Sequence, residues 1–166
     1  MVDAALFSSA TGEWSTPQDF FDKLNSIHHF TLDAAASHEN AKCDQYFTKD
    51  GFFQEFPGND RVSYLGKDSL AAPWGNGARV WLNPPYGRGV GKWVEKAYSE
   101  GVLANNRVVA LLPARTCTKW FHLWIWDREA GETYPGVTLD FVKGRLRFGG
   151  STSAAPFPSM VVVFGE

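Results

Sequence analysis

Four consecutive residues, Asn83-Pro84-Pro85-Tyr86, end the apolar run "RVWL" and open onto "GRGV". Each proline fixes its own φ, removes a backbone N–H and disfavours helix at the preceding residue, so Asn83 and Pro84 must both be extended. The result is a rigid turn rich in acceptors: carbonyl oxygens without matching N–H groups, an amide side-chain oxygen, and an aromatic face. A flat, hydrogen-bond-donating group fits such a site, because its hydrogens need acceptors and its plane needs a stacking partner. An amino group conjugated to a ring or a carbonyl meets that description. Two plainer readings compete, a kinked surface turn after a strand and a polyproline ligand for a partner domain. The second is weakened because Pro85 and Tyr86 are adjacent, with no spacer between them.

The elements that must position this turn are legible in outline. The 166 residues, 44% hydrophobic and 20% charged, suit one globular domain with a sizeable core. Residues 1–14 lack periodicity and read as an N-terminal arm, with the domain spanning 15–166. "STPQDFFDKL" predicts a helix capped by Ser15 or Thr16, with Pro17 in its first turn and Phe20, Leu24 and Ile27 on one face. Residues 30–33 predict a short buried strand, followed by a second, shorter helix capped by Ser37. Residues 48–79 are rich in glycine and proline turns, with at most a short strand near "GKDSLAAPW". Beyond the 80–82 strand and its proline turn, a helix is expected over about residues 90–99, with Trp93, Val94 and Ala97 inward. "RVVALLP" reads as a buried strand stopped by Pro113, and "TKWFHLWIW" as an aromatic helix whose tryptophans are core. "TLDFV" and "RLRFG" predict a hairpin around Lys143 and Gly144, and "SMVVVFG" a closing strand. Strands separated by helices, then a β-rich tail, predict an α/β domain with a mainly parallel sheet and an antiparallel C-terminal hairpin. In open sheets of this kind ligands bind beyond the strand carboxyl ends, where Asp33 and Asn83 would lie.

Composition excludes several classes. A formal net charge of −2 gives no wholesale attraction to nucleic acid, so any such contact must come from a local basic patch. His28, His29, His38 and His122 lack metal-ligand spacing, and Cys43 and Cys117 form neither a disulfide framework nor a zinc motif. No metal is expected. No signal-peptide pattern and no apolar stretch of membrane length occurs, so the expectation is a cytoplasmic protein without a membrane partner.

In chain order, "TPQDFFDKL", "TLDAAAS" followed by "ENAKCDQYFT", "VWLNPPYG", "VVALLPARTCTKWFH", "FVKGRLRFGG" and "APFPSMVVVF" resemble successive blocks of the phage-type, Dam-like DNA adenine N6-methyltransferases. The resemblance covers most of the chain. It implies a single Rossmann-like domain, S-adenosylmethionine as cofactor and double-stranded DNA as partner; monomer and homodimer remain equally open.

The resemblance also implies roles. Asn83, Pro84, Pro85 and Tyr86 match the catalytic turn. Thr16 and Pro17 match the element touching the cofactor's methionine carboxylate, and Asp33 the acid facing its ammonium group. Ala34, Ala35 and Ala36 stand where broader methyltransferases carry glycines, which restricts backbone approach to a ligand. Asp68 resembles the carboxylate that accepts from the cofactor adenine, and Asp50 is a candidate for its ribose. Arg88, Arg115, Lys119, Lys143, Arg145 and Arg147 form a candidate phosphate track. The plain alternatives stay open: Asp33 as a turn cap, Asp68 as an exposed loop acid, the cations as solvated surface.

An adenine amino group is a poor nucleophile because its lone pair is delocalised into the ring. The implied chemistry is rehybridisation, in which Asn83 and the Pro84 carbonyl accept its two hydrogens while Tyr86 stacks on the extruded base, using acceptors fixed in advance. The same turn could serve another planar amine, such as a protein glutamine amide, an RNA base or cytosine N4. A catalytically silent nucleic-acid-binding or interaction protein is the third reading. The chain is too short for a separate target-recognition domain, so target selection would fall to loops.

Overall fold

The computed structural model describes residues 14–149 and 151–165. The expected arm at residues 1–14 lies outside them except for Trp14. In chain order the elements are α1 (Gln18–His28), β1 (Leu32–Asp33), β2 (Gln45–Thr48), β3 (Gly51–Glu55), β4 (Arg61–Leu65), β5 (Arg79–Leu82) and α2 (Val90–Tyr98), which runs on as a π-helical turn (Ser99–Leu103). There follow β6 (Arg107–Pro113), α3 (Lys119–Trp124), β7 (Trp126–Asp127), β8 (Glu132–Thr133), β9 (Val137–Phe141) and β10 (Ser159–Phe164).

Eight strands make one mixed sheet in the order β4-β3-β2-β1-β5-β6-β10-β9, and β7 and β8 form a small ribbon. The middle strands β2, β1, β5 and β6 pair in parallel. Their sequences fit this placement: β5 and β6 are apolar almost throughout, as strands covered on both faces must be. Antiparallel pairing is confined to the margins, β2–β3–β4 on one side and β6–β10–β9 on the other. Six of the eight strands therefore point the same way, with β3 and β10 opposed. Helices cover both faces. Val161 and Val163 of β10 face the groove shared with Phe20 and Leu24 of α1, whereas Phe164 packs against Tyr98 of α2. Adjacent strand residues point to opposite faces, which puts α1 and α2 on opposite sides of the sheet.

Several local expectations fail for physical reasons. Neither Ser15 nor Thr16 caps α1, whose N-cap is Pro17 with no side-chain bond; the Thr16 hydroxyl is engaged elsewhere. Phe21 is the buried residue of that helix and Ile27 is exposed. No helix follows Ser37: Ala41 N–H bonds the Ser37 carbonyl, but the Asp33 carboxylate takes the N–H of Lys42, leaving a single turn. The strand expected at 30–33 is reduced to Leu32 and Asp33. Residues 48–79 hold the β3–β4 meander, and the segment near Asp68 is a turn in which Asp68 Oδ1 accepts from Leu70 N–H. The hairpin around Lys143 and Gly144 does not form. β9 pairs instead with β10, while Arg145–Phe148 leaves the sheet because Phe148 buries its ring against Trp14 and Phe157.

One buried charge ties these layers together. Glu100, 4% exposed in the π-helical turn, pairs with Lys96 and accepts from Trp74 N–H at 3.2 Å and Asn106 Nδ2 at 2.9 Å. Asn106 Oδ1 in turn accepts from Ala78 N–H just before β5. Gly101 follows because nothing larger fits: a Cβ there would lie 2.5 Å from the Phe164 backbone oxygen. Since a buried pair broken from one side leaves uncompensated polar groups, Glu100→Ala is expected to cost about 3–5 kcal/mol. Denaturant titration checks this, and a loss typical of surface sites would show that Glu100 is not a structural node.

Candidate active site

The direction of the strands decides what meets. The carboxyl ends of β1, β2, β4 and β5 lie on one edge of the sheet, and a cleft of about 220 Å³ opens there. Asp33 ends β1, Thr48 ends β2, Asp68 follows β4, and Asn83 follows β5. All four line the cleft with Thr16, Ala34 and Ala35. Thus Thr16, Asp33, Ala34, Ala35, Asp68, Asn83 and Pro85 come together from segments far apart in sequence. Pro17, Pro84 and Tyr86 do not line it. Asp50 stands outside as well, exposed at the β2–β3 turn, where its carbonyl accepts from Gly66 N–H at 2.8 Å.

Asn83 carries the most specific feature. Its Nδ2 donates to the Trp14 carbonyl and to Thr16 Oγ1, the latter at 2.9 Å. A carbonyl oxygen can only accept, so the orientation of this amide is fixed. Its Oδ1 is buried and has no hydrogen-bond partner among the described residues. A buried acceptor left unpaired costs about 1–3 kcal/mol, so the fold carries an acceptor that a donor would relieve. Beside it, Tyr86 is 7% exposed and donates its hydroxyl to the Leu111 carbonyl at 3.0 Å. Its ring meets Phe157 and Phe148 edge-on, at 5.5 and 6.3 Å. Burial raises the Tyr86 hydroxyl pKa far above its ordinary value, so it stays protonated. In this arrangement Tyr86 anchors the proline turn to β6.

Asp33 is 3% exposed and accepts from Ala35 N–H at 3.3 Å and Lys42 N–H at 3.0 Å. It forms no salt bridge among the described residues. The wall above it hangs on Ser69, whose hydroxyl donates to the Ala34 carbonyl at 2.7 Å, and on Trp74, whose indole N–H donates to Ser69. Ser69, Trp74 and Glu100 share no local pattern that would mark them in the sequence, and Trp14 falls in the stretch that reads as an arm. The Cys43 thiol is pushed up to about 12 by burial and then by the Asp33 and Asp44 carboxylates, so it is no nucleophile at neutral pH.

Arg88, Arg115, Lys119, Lys143, Arg145 and Arg147 are all exposed and outside the cleft. None forms a salt bridge among the described residues, although Arg145 donates to the Ala155 carbonyl. Their topology groups them: they follow β5, β6 and β9, three strands that end on the same edge as the cleft. Among the described residues no group of acidic, histidine or cysteine side chains is placed to hold a metal, and no helix is long and apolar enough to cross a membrane.

The Asp33 environment has a measurable consequence. Desolvation by burial outweighs the two backbone hydrogen bonds and the Lys42 charge, and raises the carboxyl from 3.8 to about 6. Because the folded value lies above the unfolded one, Asp33 adds stability that is fully present below about 3.8 and is lost as the pH rises through about 6. The stability of the protein relative to its Asp33→Asn variant is therefore expected to fall as the pH is raised from about 4 to about 7. Chemical denaturation across that range reads the difference, and a pH-independent value would mean that Asp33 titrates as an ordinary surface acid.

The family profile described as DNA N-6-adenine-methyltransferase (Dam) matches residues 58–165. The match includes Asp68, the Asn83–Tyr86 turn and all six cations, and begins after Thr16 and Asp33. A DNA N-6-adenine-methyltransferase of Escherichia phage T1 is 35% identical over 109 residues, which is 65% of this chain and 38% of that protein. The chain thus spans well under half the length of this relative. With the profile covering more than half of the chain, and the turn that carries an orphaned acceptor inside the matched stretch, the protein belongs to the Dam family of DNA N-6-adenine-methyltransferases.

Proposed function

We propose that residues 15–166 form a Rossmann-like, S-adenosylmethionine-dependent methyltransferase domain that methylates the N6 amine of adenine in double-stranded DNA. The observation that carries this reading is the buried, unpartnered Oδ1 of Asn83, a residue that lines the cleft at the sheet's carboxyl edge.

The cleft fits the cofactor's chemistry. Asp33 offers a buried carboxylate for an ammonium group, Asp68 a carboxylate for adenine donors, and Trp81 and Trp93 apolar walls. S-adenosylmethionine, when bound, supplies an electrophilic methyl group on a sulfonium centre. The chain's own residues would prepare the acceptor. Asn83 Oδ1 takes one hydrogen of the adenine amine. The Pro84 carbonyl would take the other, its direction restricted because Pro85 confines the preceding residue to extended backbone. Both bonds would draw the nitrogen toward tetrahedral geometry and localise its lone pair, with the orientation of the acceptors fixed in advance by the prolines and by the Asn83 bonds to Trp14 and Thr16. For Tyr86 to offer its face to an extruded base, Phe148 and Phe157 must withdraw from it. Both rings lie in the 142–158 segment, which also carries Lys143, Arg145 and Arg147.

DNA is favoured over another planar amine by the cations. On a chain of net charge −2, three strand ends on one edge carry exposed arginines and lysines that form no salt bridge among the described residues, which suits a polyanion held across the cleft mouth. Incubation with labelled S-adenosylmethionine and, separately, duplex DNA, RNA and cell-extract protein should label DNA, and digestion should release N6-methyladenine. Label confined to protein or RNA, or recovered from DNA as methylcytosine, would overturn this function.

Two variants refine it. Asn83→Ala should leave the fold and cofactor affinity largely intact while raising the barrier by about 3–4 kcal/mol, the usual loss when a preorganised group of this kind is removed; near-normal turnover would exclude Asn83 from the chemistry. Neutralising Lys143, Arg145 and Arg147 should weaken binding to every DNA sequence and lower the salt slope by about one for each phosphate no longer neutralised. An unchanged slope would make the three ordinary surface.

A further inference from the structure

Asn83 is useful only if its oxygen, and not its NH₂ group, faces the cleft. That choice is made by the segment at residues 14–16. The Trp14 carbonyl and Thr16 Oγ1 both receive Asn83 Nδ2, so the opposite orientation would set Oδ1 against the Trp14 carbonyl, two acceptors face to face.

The segment is itself held at each end. On the N-terminal side the Trp14 ring sits edge-on to Phe157 at 5.2 Å and to Phe148 at 5.6 Å, and the Ser15 carbonyl accepts from Gly149 N–H at 2.9 Å. On the other side Pro17 keeps Thr16 extended, and the Pro17 carbonyl accepts from Phe21 N–H in the first turn of α1. Thr16 is buried, 6% exposed, although its hydroxyl caps no helix. A buried hydroxyl in an apolar protein needs a partner, and the partner here is the amide of the proline turn.

We propose that residues 14–16 act as a strap that orients the Asn83 carboxamide, with the Thr16 hydroxyl as the positioning residue for the transfer step. The proposal rests on the reading of Asn83 as the acceptor of the adenine amine. It gives Thr16 a task distinct from the cofactor contact that the family resemblance implies. It also joins the proline turn to Phe148, Gly149 and Phe157, so the 142–158 segment touches the acceptor geometry through the strap.

The test separates orientation from cofactor binding. Protein labelled with ¹⁵N at asparagine is compared as wild type, Thr16→Val and Thr16→Ser, by the side-chain amide resonances of Asn83, by S-adenosylmethionine affinity and by turnover on DNA. Thr16→Val should shift the Asn83 resonances and speed their hydrogen exchange, lower kcat about five- to tenfold as expected for one lost hydrogen bond, and leave cofactor affinity within about twofold. Thr16→Ser, which keeps the oxygen, should recover both the resonances and most of kcat. Unmoved Asn83 resonances in the valine variant would overturn the proposal, as would an affinity loss that accounts for the whole drop in turnover. Shifted resonances with normal kcat would overturn it too. Should the valine variant fail to fold, Thr16→Ala removes the same oxygen without the added bulk, and the same three measurements apply. The function and the strap fail separately: wild-type protein that labels no DNA sinks the first, whereas the resonances report the Thr16–Asn83 bond with or without turnover.

Discussion

The parallel seating of β5 between β1 and β6 is the constraint on which the rest depends. β5 is only four residues long and apolar in three of them, so its backbone groups find partners only in flanking strands. Parallel pairing puts the carboxyl ends of all three strands on one edge. Asp33, Asn83 and Arg115 are then delivered to the same side of the sheet although they are far apart in sequence. The antiparallel margins extend this arrangement, because β4 and β9 run in the same direction as the core strands and end on the same edge.

Two tethers then shape the cleft from opposite sides. Under the Asp33 loop, Glu100 bonds Trp74, Trp74 bonds Ser69, and Ser69 bonds the Ala34 carbonyl. Across the mouth, residues 14–16 hold the Asn83 amide. The chemistry of the two sides differs. Glu100 is buried but fully engaged, by a lysine, an amide and a backbone N–H, and serves stability. Asp33 and the Asn83 oxygen are buried with part of their bonding capacity unspent. Such groups weaken the isolated fold and are retained where a ligand relieves them. The loop of alanines at 34–36 is fixed by the Ser69 hydroxyl, which donates to the Ala34 carbonyl, and by Asp33, which accepts from Ala35 N–H.

Charge follows the same geometry. The chain is slightly acidic as a whole, yet the cations beyond β5, β6 and β9 have no salt-bridge partners among the described residues. The ion pairs found among those residues lie elsewhere, Arg61–Glu55 at the far hairpin and Lys96–Glu100 beneath the sheet. These exposed cations stand outside the cleft that holds the Asp33 carboxylate and the Asn83 amide. Tyr86 links the two regions, since its hydroxyl is fastened to β6 and its face is covered by aromatic rings of the cationic segment.

The sequence by itself determined the rigid acceptor turn at Asn83, because two prolines leave the local backbone little freedom. It also determined the apolar strands at residues 80–82 and 107–113 and the helix after the turn, whose periodicities are set by burial on fixed faces. It did not determine partners for groups whose bonds are long-range. Ser15 and Thr16 carry a helix-cap pattern, but Thr16 was claimed by Asn83, 67 residues away. Ser37 carries another, but Asp33 took the Lys42 N–H that would have continued its turn. The residues after Lys143 alternate like a strand, yet the Phe148 ring packs against Trp14 and Phe157, and β9 pairs with β10 instead. Which acid is buried, which amide oxygen is left unpaired and which cations share an edge were decided only in the tertiary structure, since each depends on the direction of strands that meet from distant parts of the chain.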